Sequence, residues 1–124
     1  MKYGVPEALS ALKPGAQWSC TGNTYDGIEW LDGSQTKPTE AEVNDKITAL
    51  DSAEAGRLLR QERDRRIALS DWRVTKAKET GGTIPTAWKT YRQALRDLPA
   101  STTPTLDGQY FLNPSSVTWP TEPT

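Results

Sequence analysis

The chain has 124 residues, of which 35% are hydrophobic and 25% charged, with a net charge of −1. Such a length suits one ordinary domain, or a small domain with ordered arms, and so lean an apolar share permits only a thin core. With no histidine and one cysteine, Cys20, the chain lacks the commonest general base and metal ligand and forms no internal disulfide.

A lone thiol without a histidine to activate it reads as structural and suits a reducing compartment. No apolar run reaches the length of a membrane helix, and Met1–Pro6 lacks a signal-peptide core. The cytosol is therefore the expected location, with no membrane partner. Charge is unevenly spread: −5 over residues 1–56, +7 over 57–96 and −3 over 97–124. The asymmetry points either to pairing within the chain or to a basic face for an acidic partner.

Residues 1–38 are turn-rich. Pro6 suits the first turn of a short helix ending at Lys13-Pro14-Gly15. Gln17–Cys20 and Gly27–Leu31 read as two short, weakly paired strands separated by turn residues at Asn23 and Asp26-Gly27. Trp18, Tyr25, Ile28 and Trp30 supply the apolar surface of this segment. Thr39 and Glu42 then form a capping box, and Val43, Ile47 and Leu50 an apolar stripe. Asp51-Ser52 marks a break or a dent.

A second helical segment runs from about Ala53 to Ser70. Its apolar residues make no clean stripe, and it is polar nearly all round. Residues 73–83 read as a loop or fraying helix end, broken at Gly81-Gly82. Thr83 is the expected cap of a short helix with Pro85 in its first turn. Ile84, Trp88, Tyr91, Leu95 and Leu98 line one face of it, and Pro99 is the expected stop. The tail from 100 is rich in Ser, Thr and Pro, with Gln109–Leu112 and Val117–Trp119 as edge strands or extended arms.

The expected fold is thus α+β and helix-dominated: a central antiparallel helical hairpin flanked by short strands and extended aromatic arms. Its divisions are a β-rich segment 1–38, a helical module 39–99 and an arm 100–124. Trp72, Trp88, Tyr91, Leu95 and Leu98 are the expected hairpin seam. Arg63, Asp64, Asp71, Arg92 and Arg96 form a charged set around it, with Asp97 close by.

Few constellations point to chemistry. No zinc or calcium pattern, no phosphate loop and no cofactor motif is present. Carboxylate pairs such as Glu40/Glu42 occur in most helices and do not specify a glycosidase. The arginines of 57–66 are a candidate nucleic-acid helix, but the pI is about 5.5, Glu62 and Asp64 interrupt the run, and no aromatic is interleaved. A solvated helix or a protein-docking helix is the stronger reading, with no nucleic acid bound.

Arg63-Asp64, Ser70-Asp71-Trp72, Trp88-Lys89-Thr90-Tyr91-Arg92-Gln93-Ala94-Leu95-Arg96-Asp97-Leu98-Pro99 and Val117-Thr118-Trp119-Pro120 together resemble the tail assembly chaperones of tailed bacteriophages. The likeness extends over about residues 25–120. It departs from the family pattern after Trp72, where many members continue Thr-Gln-Leu-Pro-Asp and this chain has Arg73–Gly82 instead.

The resemblance implies a protein that is not an enzyme and needs no cofactor. Its implied partner is a trimeric tail fibre protein, whose exposed β-edges it shields during folding and trimerisation. Self-association, with three copies per fibre trimer, follows from the client's symmetry. Trp18, Tyr25, Ile28, Trp30, Tyr110, Phe111 and Trp119 are the candidate fibre-binding residues. The implied location is the host bacterial cytoplasm. Two alternatives stand beside this one: a virion component retained on the fibre or baseplate, and a small arginine-helix nucleic-acid binder.

Overall fold

A computed structural model of the chain describes residues 3–124. In chain order the elements are helix α1 (Val5–Leu12), strands β1 (Trp18–Cys20) and β2 (Ile28–Trp30), helix α2 (Glu40–Thr80) and helix α3 (Thr86–Ser101). Short 3₁₀ turns stand at Tyr25–Gly27 and Pro114–Ser116. The fold is helix-dominated α+β. Two compact units divide the chain, one running to Glu54 and including Gly108–Tyr110, the other comprising Ala55–Asp107 and Phe111–Thr124. The boundary falls inside α2.

The first unit is built around the apolar face of α1. Gly4 has no side chain to cap this helix, so other groups satisfy its first amides. The N–H of Val5 donates to Asn23 Oδ1 at 2.8 Å, and that of Gly4 to the Glu7 carboxylate at 3.1 Å. A Cβ at Gly4 would lie 2.3 Å from Asn23 Oδ1 and would push that side chain away from the Val5 amide it caps.

β1 and β2 pair antiparallel, with Trp18 opposite Trp30 and Cys20 opposite Ile28. The amide of Leu31 bonds Gln17 and that of Thr21 bonds Gly27. The Trp18/Trp30 and Cys20/Ile28 pairs are therefore the closely spaced, non-hydrogen-bonded ones, and their own N–H and C=O groups point to the two ribbon edges. Their side chains share one face. Ile28 is buried with Val5, Leu9, Val43 and Ile47, and Trp18, Cys20 and Trp30 pack partly buried against them. Ser19 and Glu29 occupy the solvent face.

α2 begins as its capping box predicts. The Glu42 amide donates to Thr39 Oγ1 at 3.1 Å, and the Thr39 amide to the Glu42 carboxylate at 3.2 Å. No break follows at Asp51-Ser52. The Asp51 carboxylate accepts the Tyr3 amide instead of competing for its own backbone, and Glu54 and Ala55 are buried. Nor does the helix end near Ser70: residues 73–80, expected as a loop or fraying helix end, are helical to Thr80. They contain neither Gly nor Pro. The stop is Gly81, left-handed at φ 71°, with Gly81 N–H bonded to Lys78 and Gly82 N–H to Ala77. This is a Schellman ending, which favours glycine at that residue.

α3 starts two residues later than expected, after an extended Pro85 rather than at Thr83. Ile84 precedes a proline and is thereby kept out of helical conformation. Pro99 does not stop α3, which continues to Ser101. The tail residues 109–112 and 117–119 are not strands. An isolated bridge pairs Leu106 with Leu112, and Tyr110 between them takes a left-handed φ of 66°. After the Pro114–Ser116 turn, Val117 is buried with Leu59 and Leu98, and Trp119 packs against the Trp88, Tyr91, Leu95 cluster.

Candidate functional site

In the second unit α3 folds back antiparallel on the later turns of α2. Leu98 lies with Leu59, while Trp88, Tyr91 and Leu95 pack on Ile67. Trp88 and Tyr91 meet edge to face, with ring centroids 5.6 Å apart. Four of the five residues expected in the seam are thus brought together, and each contributes about 2–3 kcal/mol by burial.

The fifth, Trp72, is a correction: it is 53% exposed. An unbroken α2 fixes its direction. Leu59, Arg63, Arg66, Ser70, Arg73 and Ala77 follow one another at alternating four- and three-residue steps, and every one is buried or half-buried. Trp72 falls on the neighbouring outer stripe with Arg65, Leu69 and Lys76.

The inner stripe is rich in arginine because arginine stems and planes serve here as packing surface. The Arg73 guanidinium lies 3.7 Å from the Trp88 ring centroid and 4.5 Å from that of Trp72. Arg66 stacks on Trp119 at 4.2 Å. Sequence reading missed both arginines as seam residues. The signal was their four- and three-residue spacing from Ser70.

The charged set resolves into separate groups. Arg92 crosses between the helices, donating from Nη1 to Ser70 Oγ at 2.6 Å and the Ile67 carbonyl at 3.0 Å, and from Nη2 to Asp71 at 2.8 Å. Arg63 pairs with adjacent Asp64 at 2.8 Å on one helix. Arg96 bonds Gln93 rather than Asp97, whose carboxylate accepts from the Gln93 amide. Arg65 and Arg66 both bond Glu62, and these bonds hold its carboxyl at about 2. These contacts orient and join helices; none assembles a nucleophile with a base.

The candidate fibre-binding residues occupy different environments. Ile28 is buried, and Trp18, Tyr25 and Trp30 pack against the first unit's core. The Tyr25 hydroxyl donates to the Pro38 carbonyl at 2.7 Å, and the Trp30 indole to that of Gln35 at 2.9 Å. Asp32 orders the following loop, accepting the amides of Gln17, Ser34 and Gln35 and the Ser34 hydroxyl. Those donors lower its pKa to about 2. Trp119 is half-buried. Tyr110 and Phe111 are exposed, Phe111 at 66% beside a shallow groove lined by Leu58, Gln61, Arg65 and Leu112.

Among the described residues no three His, Cys, Asp or Glu side chains are grouped to hold a metal ion. Among the described residues no helix is long and apolar enough to cross a membrane.

Comparison with curated proteins and with solved structures returns no match. The family model described as phage tail assembly chaperone protein matches residues 56–124. That span takes in the arginine-lined part of α2, the whole of α3 and the tail that returns over both. The chain belongs to the phage tail assembly chaperone protein family.

Proposed function

We propose that this tail assembly chaperone acts on the tail fibre protein of its phage, covering exposed β-edges of the unassembled chains and promoting their folding and trimerisation without a nucleotide. The observation that carries the reading is the family match over 56–124, the residues that build the helix pair and the tail folded on it. Intertwined, edge-exposing β chains fold slowly and aggregate while their partners are missing, so a client of that kind needs cover.

Two features support the fibre as client. Phe111 projects beside a shallow groove of mixed lining, where an exposed aromatic can serve as an anchor. The β1–β2 ribbon directs the backbone groups of its tryptophan and isoleucine pairs to its edges, where a client strand can add by hydrogen bonding. Trp18, Tyr25 and Trp30 would then stiffen the ribbon, while Tyr110 and Phe111 contact the client directly. Three copies per fibre trimer, acting in the host cytoplasm, complete the proposal.

The test is co-expression with the tail fibre protein of its phage, followed by size-exclusion chromatography with light scattering. The expected result is a fibre that is insoluble alone and trimeric in complex with this protein. A fibre that is soluble and trimeric by itself, with no complex formed, overturns the proposal.

A further inference from the structure

The outer stripe of α2 carries two large apolar side chains that the fold does not cover. Leu69 is 62% exposed and Trp72 53%. They stand three residues apart, with Arg65 and Lys76 continuing the same face. Beside Trp72 lies a cleft of about 240 Å³ between the last turns of α2 and the Gly82–Pro85 connection.

Charge at this cleft is of one sign. The Arg73 guanidinium lies 4.5 Å from the Trp72 ring centroid, and Lys76 Nζ 6.0 Å from it. Neither cation has a carboxylate partner among the described residues, and Arg73 Nε is buried without a hydrogen-bond acceptor. The nearby acids are engaged or unhelpful. Asp71 is held by Arg92, Glu62 by Arg65 and Arg66, and Glu79, one turn beyond Lys76, forms no ion pair with it. A partly desolvated cation with no counterion gains most from a carboxylate brought by a partner.

We propose that this face, centred on Trp72 with Arg73 and Lys76, is a docking site for an acidic segment of the tail protein, which seats an apolar side chain on the indole and a carboxylate between the cations. The proposal rests on the tail-chaperone reading and names one surface for it. A second copy joined by a two-fold axis through this face would press Arg73 and Lys76 against their equivalents, which like charge disfavours. A single-stranded nucleic acid would stack on the indole too, but only two cations, Arg73 and Lys76, lie at the cleft, too few to follow a phosphate backbone.

The experiment measures binding of the full-length protein to the co-expressed fibre protein for wild type, Trp72→Ala, Lys76→Glu and Lys76→Arg. Circular dichroism confirms that each variant keeps its helix content. The expected losses are on the order of 30-fold for Trp72→Ala and 10-fold for Lys76→Glu, with Lys76→Arg within about threefold of wild type. Wild-type salt sensitivity should exceed that of Lys76→Glu.

If wild type binds and both disruptive variants bind within twofold of it, this surface is refuted while the chaperone reading stands. If wild type forms no complex, the chaperone reading fails and this partner assignment falls with it. Loss of self-association in the variants with fibre binding intact assigns the face to a second copy. Trp72-dependent binding of an oligonucleotide tighter than that of the fibre assigns it to nucleic acid. Either outcome overturns the proposal.

Discussion

Asp32 shows how much one exposed carboxylate can organise. Its two oxygens gather three amides and a hydroxyl, and its pKa falls from 3.8 to about 2. A carboxylate whose folded pKa lies below its unfolded value contributes stability that is full above the unfolded value and lost as pH falls through the folded one. Glu62, lowered to about 2 by its two arginines, acts in the same direction. The thermal midpoint should therefore fall between pH 4 and pH 2. In Asp32→Asn the midpoint should start lower at pH 7 and descend less steeply. Equal slopes in the two proteins would show that this loop does not couple protonation to folding.

At this scale the sequence was legible where a residue's role is local. Thr39 with Glu42, and the aromatic face of α3, needed only neighbours three and four residues away. Trp72 was not legible, because its direction depends on whether α2 continues past it. A loop or fraying end from residue 73 would leave that indole free to turn inward.

The same misreading shaped the view of α2 as an element. A stretch that looked polar nearly all round has a packing face, but that face is Leu59, Arg63, Arg66, Ser70, Arg73 and Ala77. Hydropathy scores arginine as surface, whereas its planar head stacks on Trp88 and Trp119 here. Arg73→Ala should accordingly destabilise the second unit by about 1–3 kcal/mol through lost stacking. Leu95→Ala, which empties a fully buried position, should cost about 2–5 kcal/mol. Urea unfolding measures both, and an unchanged midpoint for Arg73→Ala would mean that the stack contributes no net stability.

The whole molecule divides into two units with separate cores, although α2 runs through both. Composition hints at the boundary, with Gly56 beside it and the net charge changing sign after residue 56, but the helix runs through both; the cores, not the connecting turns, define the division. Leu9→Ala should raise amide exchange in α1 and the β-ribbon and leave α3 at its wild-type protection. Leu95→Ala should do the reverse. Loss of protection throughout in both variants would show that α2 binds the units into one cooperative system.

The outward turn of Trp72 has an optical consequence. Its indole stands in water over half its surface, while that of Trp88, beneath the same guanidinium, is 5% exposed. The chain therefore emits from at least two kinds of tryptophan, one red-shifted and one blue-shifted. Arg73 and Lys76 concentrate anions at the exposed ring, so iodide should quench the red component selectively. Anything that settles on that face will shut the quencher out, and the protein reports its own occupancy without a label.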